Sequence, residues 1–160
     1  MRKRTKWYLI MILLVFSVFS FTSNQPIVGV GDLVTVQYTG VTGDYVFDTM
    51  IATFQVGKGE VIPGLEQGVI GMHLGEKREL VIPPIEGFGE YNLSLIKELS
   101  KDLFSSLNET IPVKGEVLTI DGVRGRVIAV TEETILFDTN HELAGKELNL
   151  TVKLLAHSKA

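Results

Sequence analysis

Hydrophobic and polar residues follow three successive rhythms along this chain. The first is an almost unbroken apolar run, Trp7 to Phe21, interrupted only by Ser17 and Ser20 and preceded by the basic cluster Arg2, Lys3, Arg4 and Lys6. A charged start before such a run reads as an export signal. A bilayer span takes about 20 apolar residues, so a retained N-terminal membrane anchor stands beside a cleaved signal peptide as an equal reading. Ser20 and Ser23 are small enough for a signal peptidase, though Phe19 and Phe21 suit it poorly. Basic residues stay on the cytoplasmic side. Either reading therefore makes Gln25 to Ala160 extracytoplasmic, membrane-anchored or secreted.

The second rhythm has period two. Val34, Val36 and Tyr38 alternate with Thr35, Gln37 and Thr39, as in a half-buried strand. Thr42-Gly43-Asp44 is turn chemistry. Tyr45 to Asp48 resumes a strand, a short loop follows, and Thr53 to Val56 forms another strand that Gly57-Lys58-Gly59 breaks. The third rhythm is helical. Leu65, Val69 and Met72 share one face of a predicted helix over Pro63–Met72, with Pro63 suited to its first turn. Gly68 and Gly71 weaken that helix, so packing must hold it. Arg78, Leu80 and Ile82 mark a further strand, stopped by Pro83-Pro84. Leu95, Ile96, Leu99 and Leu103 then predict a second helix, with Asn92 and Ser100 as caps. Val117–Ile120 and Val123–Val130 flank Asp121-Gly122, a strong hairpin signal. Thr134–Phe137 and Glu147–Leu155 complete the strands, the last turning Leu148, Leu150, Val152 and Leu154 inward.

These rhythms predict an α+β fold. An antiparallel sheet wraps on a short helix, drawn from residues 26–91 and 138–156. A helix-plus-hairpin module at 92–137 is inserted between the two parts. The hydrophobic signal or anchor segment occupies 1–25, and 157–160 is a short tail.

Composition removes several chemistries. The 160 residues include no Cys, which excludes disulfides, thiolate nucleophiles, Cys-ligated metals and a lipid anchor on Cys. The net charge is −4, and the first segment holds four of the basic residues, so the remainder is more acidic still. An acidic chain without a basic stripe is a poor nucleic-acid binder. His73, His141 and His157 are too scattered to suggest a metal site. No Ser/His/Asp arrangement, phosphate loop or paired acid and base stands out, and no cofactor is expected.

Several segments in order resemble FKBP-type peptidyl-prolyl cis-trans isomerases. Val30-Gly-Asp-Leu-Val-Thr-Val-Gln-Tyr-Thr-Gly40 is similar to their opening strand, and Val46-Phe-Asp48 to their Phe-Asp pair. Gly57-Lys-Gly-Glu-Val-Ile-Pro-Gly-Leu-Glu-Gln-Gly-Val-Ile-Gly-Met72 resembles their pocket-floor helix and its lead-in. Gly75-Glu-Lys77, Ile82-Pro83-Pro84 and Gly87-Phe-Gly89 also fit. Phe137-Asp-Thr-Asn-His-Glu-Leu-Ala-Gly-Lys146 is similar to the SlyD-type branch, which carries an inserted chaperone domain.

The resemblance implies a cavity that takes the substrate proline. Taken singly, its residues would pass for ordinary core. Tyr38, Asp48, Ile62 and Phe88 match the positions that act on the prolyl bond, with Ile62 contributing mainly its backbone N–H. Phe47, Val61, Leu65 and Leu150 match cavity positions, and His141 and Leu143 flank them, His141 being equally suited to bracing a turn. Leu65 stands where many relatives carry Trp, Phe88 where Tyr is usual, and Leu150 where Phe is usual. No Arg matches the family's partner for the Asp48 carboxylate.

The resemblance also implies the task. The protein would be a prolyl isomerase, or rotamase, for proline-containing unfolded or exported polypeptides. The inserted module would hold the client, and macrolide inhibitors are a further possible ligand class. The chain stops at Ala160 without the His-rich tail of many SlyD-type proteins, so no metal is expected. The departures in the cavity leave open a catalytically weak binding chaperone or a membrane-tethered adaptor on the same fold.

Overall fold

The alternation at Val34 and Val36 becomes the centre of a four-stranded antiparallel sheet. The computed structural model describes residues 26–106 and 110–160. Strand β1 is Leu33–Thr42, β2 Tyr45–Gln55, β3 Lys77–Ile82 and β8 Leu148–Ser158, and the sheet order is β2-β1-β8-β3. Val34, Val36, Leu148, Leu150, Val152 and Leu154 are buried together, as their period-two spacing requires.

Helix α1, Pro63–Val69, covers this face. Leu65 and Val69 point into the core, and Met72 joins them just beyond the helix. The glycines are why the helix lies so close. A Cβ added at Gly64 would stand 2.5 Å from Ile82, and one at Gly68 would collide with Leu80, so the bare side of α1 rests on β3. The helix ends at Val69 rather than Met72. Ile70 is already extended and Gly71 has φ +77°. The Arg78 guanidinium then takes up the freed carbonyls of Gly68 and Ile70, at 2.8 and 3.0 Å.

β2 runs without a break where a loop after Asp48 was expected. Thr49-Met50-Ile51-Ala52-Thr53 contains no turn residue, and it pairs continuously with β1 from Thr39↔Thr49 to Leu33↔Gln55. The hydroxyls of Thr35 and Thr53 meet across the two strands at 2.8 Å. The irregularity lies earlier. The ladder passes from Gly40↔Asp48 to Val41↔Val46, which leaves Phe47 as the extra residue of a bulge.

A second antiparallel sheet uses only residues between β3 and β8 in the chain. Its strands are β4 (Ile96–Ser100), β5 (Val117–Ile120), β6 (Val123–Val130) and β7 (Thr134–Asp138), in the order β4-β7-β6-β5, with the short helix α2 at Asp102–Ser106. Val127, Ile135, Phe137 and Phe104 form its own small core. The Asp121-Gly122 turn has φ +50° and +77°, as a two-residue hairpin turn needs.

The helix predicted over Leu95–Leu103 is not there. Leu93–Leu95 is one 3₁₀ turn, and Ile96–Ser100 pairs with Asp138–Thr134 of β7. A ladder of tertiary hydrogen bonds outweighs the small helix propensity of so short a stretch. Of the two predicted caps, Asn92 caps the 3₁₀ turn, whereas Ser100 is the last residue of β4. The Asn92 side chain accepts the Ser94 N–H, and Ser100 Oγ accepts the Asp102 N–H that opens α2.

The first half of the predicted tail, His157 and Ser158, is part of the first sheet. β8 extends to Ser158, and Lys159 and the Ala160 N–H both reach Asp32. The export or anchor segment, 1–25, lies outside the described residues. Among the described residues no helix is long and apolar enough to cross a membrane.

Candidate active site

The bulge at Phe47 builds the wall of a cleft. Consecutive strand residues normally face opposite sides of a sheet. Here the extra residue lets both Phe47 and Asp48 line one cavity of about 610 Å³. The Phe47 ring lies directly on Gly40, where a Cβ would collide with it. Leu65 rises from α1, Leu150 from β8 and Tyr38 from β1. Val61 and Ile62 come from the loop before α1, and Phe88 from the turn after Pro84–Glu86.

The lining is almost wholly apolar, and its few polar groups are specific. The Tyr38 hydroxyl donates to Asp48 Oδ2 at 2.6 Å. Burial, reinforced by that carboxylate, pushes the Tyr38 phenol well above its ordinary range. The Ile62 carbonyl accepts the N–H groups of Leu65 and Glu66, at 3.0 and 3.1 Å. Among the described residues nothing accepts the Ile62 N–H, so this cleft residue keeps a backbone donor for a ligand.

Eight of the predicted site residues thus meet in one cavity: Tyr38, Phe47, Asp48, Val61, Ile62, Leu65, Phe88 and Leu150. His141 and Leu143 do not line it. His141 stacks flat behind Phe88, with ring centroids 4.2 Å apart. Its Nδ1 accepts the Leu143 N–H at 3.2 Å and its carbonyl accepts the Ala144 N–H, which is the work of a turn brace. Leu143 is buried in the main core. The missing arginine has a substitute, because the Tyr38 hydroxyl is the donor that holds Asp48.

Some contributors had no separate signal in the sequence. Met50, Ile51, Ala52 and Thr53 also line the cleft, from the unbroken β2 at the edge of the sheet. The absence of Gly, Pro, Asn and Asp between Asp48 and Phe54 was the available clue. Glu66 is nearly buried on α1, and its Oε1 accepts both the Lys58 and Gly59 N–H groups, at 3.1 and 3.0 Å. Glu60 takes the Gln55 N–H at 3.0 Å. The loop that presents Val61 and Ile62 is therefore pinned on both sides. Among the described residues no cluster of His, Asp or Glu is placed to hold a metal ion.

The comparisons with known proteins agree with this geometry. A family model for the FKBP-type peptidyl-prolyl cis-trans isomerases matches residues 25–140. A short-type peptidyl-prolyl cis-trans isomerase of Methanocaldococcus jannaschii is 43% identical over 101 residues, covering 63% of this chain and 64% of that protein. A probable FKBP-type 16 kDa peptidyl-prolyl cis-trans isomerase of Pseudomonas fluorescens is 34% identical over 118 residues, covering 72% and 79%. The FKBP-type peptidyl-prolyl cis-trans isomerase SlyD of Haemophilus influenzae is 31% identical over 107 residues, covering 65% and 56%. The match thus spans less than two thirds of the archaeal and SlyD relatives.

Proposed function

Since this chain belongs to the FKBP-type peptidyl-prolyl cis-trans isomerase family, we propose that it accelerates rotation about Xaa-Pro bonds in proline-containing polypeptides. The observation that carries this reading is the apolar cleft in which Tyr38 and Asp48 share a hydrogen bond beside the free Ile62 N–H.

Prolyl rotation needs neither nucleophile nor cofactor. The barrier of about 18–20 kcal/mol comes from amide resonance. The twisted transition state has lost that resonance and is less polar than the planar bond. A cavity walled by Phe47, Leu65, Phe88 and Leu150 favours the twisted form over the planar one, which is the differential binding that catalysis requires. The Ile62 N–H would hold a carbonyl on one side of the rotating bond. Asp48, fixed by Tyr38, sets an acceptor at the cavity wall. Lowering the barrier by about 4 kcal/mol gives roughly a thousandfold acceleration. Phe88 has no hydroxyl, so that wall contributes packing and no donor. The same cavity would admit macrolide inhibitors.

The second sheet would hold the client as an inserted chaperone domain, on residues 92–137. Leu93, Ile111 and Val113 are exposed there, apolar surface that supports contact with a client. The same exposure supports a second reading, a binding chaperone with weak turnover. If the first segment exports the chain, the clients are exported polypeptides. Uncatalysed isomerisation takes tens to hundreds of seconds, so their folding would gain from a catalyst.

The test is the cis-to-trans rate of a short Xaa-Pro peptide with the full chain in mild detergent, beside Asp48→Ala. Acceleration that falls strongly in the variant is the expected result. A folded protein that leaves the rate at its uncatalysed value sinks the enzyme reading. Suppression of aggregation without turnover would then select the chaperone.

A further inference from the structure

A second groove, of about 720 Å³, lies beside the cleft. Tyr45 and Phe47 of β2 line it together with Arg124 and Arg126 of β6. Phe47 belongs to both cavities. His141 lines the groove, and its stacking partner Phe88 lines the cleft. Phe47 is thus common to the two cavities and the stacked pair of Phe88 and His141 spans them, so the groove adjoins the cleft across aromatic rings.

The groove's charges are unequal in their freedom. Asp138 is fully engaged, with Oδ2 accepting from Tyr91 and Oδ1 from the Asn140 backbone and side chain. Glu142 stands 3.9 Å from Arg126, which also donates to the Gly115 carbonyl at 3.2 Å. Arg124 and Lys146 have no acidic partner among the described residues. On a chain whose net charge is −4, the uncommitted charges of this groove are positive.

We infer that the groove holds the client segment next to the proline and selects a carboxylate side chain, Asp or Glu, within it. This rests on the isomerase reading of the adjoining cleft and adds a substrate preference to it. An extended chain advances about 3.3 Å per residue, so the carboxylate would lie a few residues from the proline on one side only. A guanidinium meets a carboxylate with two parallel donors, which gives Arg124 the geometric advantage over Lys146. Both cations are solvent-exposed, so the preference is modest and sensitive to salt.

The experiment uses the full chain in mild detergent and synthetic peptides with one proline. A single Glu, or Gln as its isostere, is moved through each flanking position in turn. Peptide affinity is read by fluorescence anisotropy, and the cis-to-trans rate is read on the same peptides. The expected result is a Glu-over-Gln gain of about two- to fivefold in affinity, confined to neighbouring positions on one side of the proline and shrinking as salt rises. In the double variant Arg124→Gln, Lys146→Gln the ratio falls to about one, and Arg124→Lys keeps part of it. The inference is overturned if no position favours Glu, if the gain survives the double variant, or if those positions prefer apolar side chains. Affinity and turnover separate the two readings. A Glu preference without turnover keeps the groove and removes the isomerase, and turnover without the preference does the reverse.

Discussion

Tyr38 and Asp48, ten residues apart in the chain, meet across adjacent strands with 2.6 Å between the hydroxyl and the carboxylate. Tyr38→Phe removes the donor and leaves the Asp48 carboxylate free to turn toward solvent. Losing one such hydrogen bond should lower kcat/KM on a prolyl peptide by about two- to tenfold, with KM changing less than kcat. An unchanged kcat/KM would mean that Asp48 has no part in the reaction. Spectrophotometric titration gives a second readout. Tyr38 ionises above the ordinary tyrosine range because burial and then Asp48 disfavour the phenolate. In Asp48→Asn its titration should move back toward that range.

The Phe47 ring occupies the space beside Gly40 that any larger residue needs. Gly40→Ala should therefore destabilise the fold by about 1–3 kcal/mol through overpacking, or expel the ring from the cleft. The double variant Gly40→Ala, Phe47→Leu should regain much of the stability and not the turnover. Denaturant melts and peptide kinetics on the three proteins check this. A Gly40→Ala protein as stable and active as the parent would show that the ring is free to move aside.

How much of this was legible follows from the range of each interaction. The strands around Val34 and Val36 and around Leu148–Leu154 were readable because burial on one face imposes period two. The Asp121-Gly122 hairpin was readable because few dipeptides tolerate two positive φ angles. The cleft residues followed from motif order, not from periodicity. By contrast, Leu95, Ile96, Leu99 and Leu103 satisfy a helical spacing, and only the partner strand β7 makes Ile96–Ser100 extended. The Tyr38–Asp48 bond, the stacking of His141 on Phe88 and the grip of Glu66 on Lys58 and Gly59 all join separate segments. No local pattern announces them.

Asp32 supports a prediction about acid. It is nearly buried and accepts the Gly29 N–H, His157 Nε2 and Lys159 Nζ, the last two at 2.8 and 2.9 Å. The Gly29 N–H, then His157 and Lys159, hold its carboxyl far below the usual range, against the opposing effect of burial. Its folded pKa is thus depressed, so its contribution to stability is complete above the unfolded value. That contribution is lost as pH falls through the folded one. Thermal melts of Asp32→Asn should lie below those of the parent at neutral pH. The gap should narrow only below the ordinary carboxylate range. A gap that closes well above the ordinary carboxylate range would mean that protonation of Asp32 is not its cause.

Asp138 marks where the chain passes between the two sheets, and its bonds predict how firmly they are joined. One crossing runs through Tyr91, Asn92 and Leu95, the other through Asp138, Thr139 and Asn140. Tyr91 donates to Asp138, Asn140 exchanges bonds with the Asn92 N–H and carbonyl, and Thr139 donates twice to the Leu95 carbonyl. Asp138 orients this set, because its Oδ1 fixes the Asn140 side chain. Burial opposes its charge, but the bonds from Tyr91 and Asn140 prevail and hold its pKa below the usual value. Asp138→Ala should therefore loosen the crossings without unfolding either core. Hydrogen exchange should rise at residues 91–95 and 139–141 while β1 and β8 keep their protection. The parent should begin to show the same change as pH drops below the ordinary carboxylate range, because protonation removes an acceptor that both crossings use. Uniform exchange across the molecule in the variant would mean that these bonds support global stability rather than the attachment of one sheet to the other.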